Sequence, residues 1–210
     1  TEDICDEFIA LPYIEWVREG IMPYTQKAFG VGYSRKRNRV ILPHRSWCGD
    51  KKTYVGVMGR TLNKHYELLD IPKYFPLVSF PKSMNIYGLN ENYKHIQKAG
   101  YVNVFEAEKS VLKRHSLLDK TGTALCCHDL SEEQVKILIS LDVDIIFQMD
   151  NDVPLEHVWG MCDMFYGIRK VSYLFDRWDL LEQKDSPADM CNKIFEFMMQ
   201  YRVVYDSYEH

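Results

Sequence analysis

Two stretches decide how this chain is read: residues 101–106, Tyr-Val-Asn-Val-Phe-Glu, and residues 144–152, Asp-Ile-Ile-Phe-Gln-Met-Asp-Asn-Asp. Each is a short apolar run that ends on acids. Glu106 closes the first, and Asp150 and Asp152, with only Asn151 between them, close the second. Short runs rich in β-branched and aromatic residues, set between helical patterns, read as buried strands of a parallel sheet. Carboxylates at the carboxyl ends of neighbouring parallel strands stand where open α/β sheets place their ligands. Close together, such acids repel by about 1–4 kcal/mol per pair at roughly 4 Å. A raised pKa or a bound divalent cation relieves that repulsion. An all-oxygen donor set suits Mg²⁺ or Mn²⁺ rather than zinc.

Outward from these strands the pattern alternates. Helices are expected over 92–99, 107–119, 131–141 and 154–166, with strands over 101–106, 123–128, 143–149 and 170–175. This order predicts a parallel sheet covered by helices on both faces. A last helix runs from about Pro187 to Tyr201, with Pro187 suited to a first turn. Before residue 91 the pattern differs. Residues 3–19 carry helical apolar spacing (Ile4, Phe8, Leu11, Ile14, Val17), interrupted at Pro12 and stopped at Gly20. Strands are expected over 39–42 and 53–58 with Gly49-Asp50 at the turn, and Pro72, Pro76 and Pro81 mark an irregular connector. The expected fold class is α/β (α+β overall): a parallel sheet flanked by helices, preceded by a smaller mixed basic subdomain and followed by a C-terminal helix. The expected domains are 1–90, 91–176 and 177–210.

A hydrophobic fraction of 46% over 210 residues supports a substantial core. No apolar run approaches the roughly 18 residues of a membrane span. None of the six cysteines forms a CxxC pair, and Cys126-Cys127 on one strand would point to opposite faces, which argues against zinc and for reduced cytosolic thiols. No signal peptide is visible at Thr1, and the missing initiating Met reads as a cut or processed fragment. The formal charge of −4 hides an asymmetry. Residues 1–19 hold six acids and one base, whereas residues 20–66 hold ten bases and one acid, Asp50. That basic block is either a footprint for a polyanion or a solvated hairpin face. Tyr24, Phe29, Tyr33 and Trp47 interleave it and favour the footprint.

With these segments in place, the second half resembles a toprim domain. The matching pieces are Phe105-Glu106-Ala-Glu-Lys-Ser110, Thr121-Gly122-Thr123 and Asp150-Asn-Asp152. The first half resembles the amino-terminal part of a DnaG-type primase core. It matches through Phe29-Gly-Val-Gly-Tyr33, Arg39-Val-Ile-Leu-Pro43, Val55-Gly-Val-Met-Gly-Arg60, Pro72-Lys-Tyr74 and Phe80-Pro-Lys-Ser-Met-Asn-Ile-Tyr-Gly-Leu89. Gln183-Lys-Asp-Ser-Pro-Ala-Asp189 is similar to the acidic motif that comes next in that family. The chain departs from the pattern in three places. Ala107 stands where the family has glycine, Ser110 stands where it has aspartate, and an extra residue leaves the register of Asp185 and Asp189 open. Neither a zinc ribbon nor a Gly-Lys-Thr/Ser phosphate loop is present. The short, divergent motifs look more like a bacteriophage primase than a bacterial one.

The resemblance implies template-directed synthesis of short RNA primers on single-stranded DNA from ribonucleoside triphosphates, by two-metal phosphoryl transfer with Mg²⁺ or Mn²⁺. It assigns Glu106, Asp150 and Asp152 as catalytic and metal-holding acids, with Asp185 ahead of Asp189 as a fourth. The competing role for Glu106 is to cap the next helix. Arg60, Lys73 and Lys82 are the expected nucleotide contacts, and Arg35, Lys36, Arg37 and Arg39 the expected DNA contacts. Tyr33 and Trp47 either stack on bases or belong to the core. His128 beside Asp129 has no matched nucleophile and reads as structural. A zinc-binding domain and a replicative helicase are implied partners, with no membrane, in the cytoplasm of a host cell. Two alternatives remain: a metal-dependent toprim nuclease using the same acids, and a non-catalytic nucleic-acid-binding module.

Overall fold

The computed structural model describes residues 8–127 and 129–207. Cys5, His128 and the start of the helix expected over 3–19 lie outside the described residues. The chain divides into two compact units, Thr1–Pro81 and Lys82–His210. The division comes ahead of the boundary expected at residue 90, because the residues after Pro81 already belong to the second unit. Tyr87 bridges Ala124 through paired backbone hydrogen bonds of 3.0 Å each.

The first unit carries two short helices, α1 (Ile14–Arg18) and α2 (Pro23–Ala28). Its sheet holds β1 (Gly32–Ser34), β2 (Arg39–Arg45), β3 (Tyr54–Thr61) and β4 (Tyr74–Val78), antiparallel in that order. Of the described part of the expected first helix, 8–19, only Ile14–Arg18 is helical. Pro12 precedes it, and Ile9 instead bridges Tyr33. β4 falls in the stretch expected to be an irregular connector. It tolerates Pro76 because it is an edge strand, whose open side needs no N–H donor. The β3 glycines are packing positions. A Cβ on Gly56 would lie 1.9 Å from the Phe80 ring, and one on Gly59 would lie 2.9 Å from Arg39 Cδ. Trp16, Phe29, Val40, Leu42 and Val57 are fully buried around this sheet.

The second unit alternates as expected: α3 (Leu89–Ala99), β5 (Tyr101–Phe105), α4 (Glu108–Ser116), β6 (Gly122–Ala124), α5 (Glu132–Ser140), β7 (Asp144–Gln148), α6 (Leu155–Asp163) and β8 (Val171–Tyr173). Then come α7 (Asn192–Gln200) and β9 (Val203–Val204). The sheet order is β6-β5-β7-β8-β9, parallel except for β9, which runs antiparallel to β8. Local chemistry sets the element ends. Gly100, at φ 76°, closes α3 in the left-handed region that glycine favours. Ser131 and Gln134 form a reciprocal capping box at the start of α5. Gln134 is fully buried and also donates to the carbonyls of Asn85 and Leu125, each at 3.1 Å. Val102, Val104, Ile145 and Phe147 fill the sheet's core.

Two details differ from expectation. β6 ends at Ala124, and Cys126 sits at φ 62°, so Cys126 and Cys127 leave the sheet rather than alternate on it. The last helix is broken: a 3-10 turn, Pro187–Asp189, precedes α7. Among the described residues, no helix is long and apolar enough to cross a membrane.

Candidate active site

β5 and β7 are parallel neighbours with Phe105 opposite Gln148, so the residues just past both strands emerge on the same rim of the sheet. Glu106 leaves β5 there, and Asp150 and Asp152 come two and four residues after β7. The turn carrying the aspartates is pinned. Val153 N donates to Asp150 O and Asn151 N donates to Asp185 O, both at 3.0 Å, and Asn151 Nδ2 donates to Leu181 O at 3.3 Å. Asp150 Oδ1 is buried with no hydrogen-bond partner. Burial, and after it the negative charges of Glu106, Asp152 and Asp189, push the Asp150 carboxyl up to about 6, against a hydrogen bond from the Ser186 side chain. A half-buried acid held against like charges gains most from a cation, and the hard oxygen donors match Mg²⁺ or Mn²⁺. Beside it lies a cavity of about 250 Å³, lined by Asp150 and by Met149, Val158, Leu174, Leu181 and Met198.

The two later acids are held by other partners. Asp185 Oδ2 accepts from Glu182 N at 3.2 Å, and the Asp185 carbonyl braces Asn151. Asp189 Oδ1 pairs with Lys113 of α4, and its Oδ2 accepts from Ser186 N at 2.9 Å. Asp189, rather than the favoured Asp185, is the one whose charge reaches Asp150. Sequence reading missed Ser186. It is 3% exposed, and its hydroxyl accepts from Ser110 Oγ at 3.2 Å. Lys82 is half-buried, with Nζ 3.5 Å from the Cys126 carbonyl. Its charge opposes the rise that burial imposes on the Cys126 and Cys127 thiols.

In the first unit, Arg60 and Lys73 line one cavity of about 190 Å³ with Tyr13, Trp16, Lys64 and Tyr66. The two are brought together because Thr61 N donates to Lys73 O at 2.9 Å, and the Arg60 guanidinium lies 5.9 Å from the Trp16 ring centre. Arg35, Lys36 and Arg37 are exposed on the turn between β1 and β2. Arg39, expected to contact DNA with them, does not share that surface. It is 9% exposed, donates to Gly59 O and Pro72 O, both at 3.0 Å, and packs 5.7 Å from the Phe75 ring centre. The missing side chain at Gly59 makes room for it. Tyr33 and Trp47 are half-buried.

No family model matches the chain. Among curated proteins it is 29% identical to the SPbeta prophage-derived uncharacterized protein YorJ of Bacillus subtilis, over 97% of this chain and 60% of the relative. It is 34% identical to a DNA primase of Buchnera aphidicola over 132 residues, 59% of this chain and 21% of that protein. Among solved structures, the zinc-binding and RNA polymerase domains of the Aquifex aeolicus primase superpose with a TM-score of 0.79 at 18% identity, covering 97% of this chain and 60% of that one. A DnaG primase catalytic domain bound to single-stranded DNA superposes at 0.73 and 15% identity, covering 97% and 77%. The chain thus has the fold of a DnaG-type primase catalytic core and spans 60% of the length of its prophage relative.

Proposed function

We propose that this chain, built on the primase-core fold, is the catalytic core of a bacteriophage DNA primase acting in the host cytoplasm. It joins ribonucleotides on a single-stranded DNA template by metal-assisted phosphoryl transfer. One observation carries the reading: Asp150 is held half-buried against Glu106 and Asp152 with a buried, unpartnered oxygen, which is a costly arrangement for a protein without a cation. The strand ends and the pinned turn fix these acids before any ligand arrives, as preorganised catalysis requires. A divalent cation, when bound, supplies charge neutralisation and lowers the pKa of the attacking hydroxyl.

Glu106, Asp150 and Asp152 hold that cation, and Glu106 also accepts the 3′-hydroxyl proton. Arg60 and Lys73 bind nucleotide phosphates within their shared cavity, where a guanidinium forms two parallel hydrogen bonds. Lys82 adds a third cation to the nucleotide. Arg35, Lys36 and Arg37 guide the template by its backbone, with little sequence preference and steep salt dependence. A zinc-binding module for template reading and a replicative helicase are the partners this role calls for. The relatives support the reading, since one is a DNA primase and one solved neighbour holds single-stranded DNA.

The test incubates the chain with single-stranded DNA, an annealed RNA primer, ribonucleotides and Mg²⁺ or Mn²⁺. Extended primer or new short RNA, lost in Glu106→Gln, is the expected result. Shortened DNA would replace the polymerase with a nuclease built on the same acids. Binding without either product, unaltered by Asp150→Asn, would reduce the chain to a binding module.

A further inference from the structure

We propose that Trp16 is a positioning residue of the cavity that Arg60 and Lys73 share: its buried ring is the platform that presents the Arg60 guanidinium to a polyphosphate. This inference rests on the reading that this cavity takes nucleotide phosphates, and deepens it. Arg60 is half-buried near the end of β3. Among the described residues, no carboxylate, carbonyl or hydroxyl accepts a hydrogen bond from its guanidinium. What the guanidinium meets is the Trp16 ring, whose centre lies 5.9 Å away, within the roughly 6 Å over which a ring face attracts a cation. Two other arginines of the same sheet differ. Arg39 donates to Gly59 O and Pro72 O, and Arg45 donates to Lys51 O, Ala28 O and Tyr54 Oη. A guanidinium with a fork of N–H donors and no protein acceptor, on the wall of a cavity, is ready for an anion.

The platform is rigid. Trp16 lies on α1 and is fully buried. Its carbonyl accepts from Ile21 N at 2.8 Å, and the Tyr13 ring packs edge-on to it at 6.4 Å between centres. Its indole Nε1 is buried with no hydrogen-bond partner among the described residues. An orphan donor in a core is costly, and leucine or phenylalanine at this place would carry none. What the indole offers over either is the strongest π face for a cation. The cavity beside it, about 190 Å³, also takes in Lys64 and Lys73. Glu15 and Glu19 line it too, and Glu15 is paired with Arg18 at 2.6 Å. The volume falls below the roughly 300–1,000 Å³ of sites that enclose a whole small molecule. The cavity therefore takes the phosphates and leaves ribose and base outside, so tripolyphosphate alone is a sufficient ligand.

The test is a calorimetric titration with tripolyphosphate, without divalent cations so that the rim acids take no part. Trp16→Leu is expected to weaken binding at least about threefold, the scale of one partly desolvated cation–π contact, and Trp16→Phe to restore part of the loss. In an Arg60→Ala background, Trp16→Leu is expected to have no further effect, because the ring acts through the guanidinium. If Trp16→Leu does not fold, the wild-type chain is labelled with fluorotryptophan at its four tryptophans, and Trp16→Phe identifies the Trp16 fluorine resonance. Saturating tripolyphosphate is expected to shift that resonance in the labelled wild-type chain and to leave it in place in labelled Arg60→Ala. Binding weakened by Arg60→Ala but not by Trp16→Leu, an equal Trp16→Leu loss in both backgrounds, or a Trp16 resonance that does not move would overturn this inference and leave the phosphate reading of the cavity standing. No binding of tripolyphosphate, or binding indifferent to Arg60→Ala, would overturn both.

Discussion

The two units handle charge in opposite ways. In the antiparallel unit, two buried or half-buried arginines are satisfied by the protein itself. Arg39 is clamped between two backbone carbonyls, and Arg45 donates to the carbonyls of Lys51 and Ala28 and to the Tyr54 hydroxyl. At the rim of the parallel unit, Asp150 lies against the negative charges of Glu106, Asp152 and Asp189 and keeps a buried oxygen that accepts no hydrogen bond. A buried charge with all its partners is a brace, and removing it costs stability. A buried charge held against its own kind is a candidate site, and removing it is expected to cost function while easing the fold. The distinction turns on satisfaction, since both kinds of residue stand equally close to motifs of the primase pattern.

The largest expected effect falls on that site. Glu106→Gln and Asp150→Asn are each expected to lower primer extension by about 10²–10³-fold, the scale on which loss of one preorganised electrostatic group registers. Near-ultraviolet circular dichroism should show the fold intact. The brace comes next. Arg39→Ala leaves two carbonyls without their donor and is expected to destabilise the protein by about 1–3 kcal/mol. At roughly 2–4 °C per kcal/mol for a chain of this size, the thermal midpoint falls by several degrees, while the salt dependence of DNA binding stays unchanged. Equal stability with weakened DNA binding would return Arg39 to the surface role. Smaller still is the triple change Arg35→Ala/Lys36→Ala/Arg37→Ala. Stability is expected to move by no more than about 0.5 kcal/mol. The slope of log affinity against log salt on single-stranded DNA should flatten by about 0.7 for each phosphate no longer neutralised.

The last effect is a trend with pH. Asp150 is raised to about 6 in the metal-free fold from an ordinary 3.8. The folded state therefore holds this proton more tightly than the unfolded chain does. The associated stability is complete below the unfolded value and is lost as pH rises through about 6. Buried His115, pushed down to about 4 mainly by desolvation, works in the opposite direction and costs stability as pH falls below its ordinary 6.5. Comparing Asp150→Asn with the wild-type chain isolates the first contribution. Without metal, the variant's advantage in thermal midpoint should widen between about pH 4 and pH 7 and level off above it, as a series of melts across that range would record.

Much of the parallel unit was legible because each strand and helix is long enough to show its period, and because acids directly after apolar runs fall at strand ends. The antiparallel unit was read less well. Three-residue β1 is too short for any alternation to register, as is two-residue β9 in the parallel unit, and Pro76 concealed β4 until its edge position was known. Side-chain fates set by distant partners were illegible. Arg39 is buried because Gly59 has no side chain, and Asp189 is diverted by Lys113, 76 residues before it. The serine pair was half visible: Ser110 stood out as a departure from the pattern, but nothing local tied it to Ser186.

The contrast between brace and site is tested most directly by thermal melts of the metal-free chain and of Asp150→Asn across a Mg²⁺ series at about pH 7.5, well above the raised Asp150 value. A cation that binds only the folded state raises stability by RT ln(1 + [L]/Kd), about 2.7 kcal/mol at roughly 100 Kd. The wild-type midpoint should climb with Mg²⁺ from below that of the variant, while the variant's stays nearly flat. Parallel climbs in both proteins, or no climb in either, would contradict the assignment of these acids to a cation.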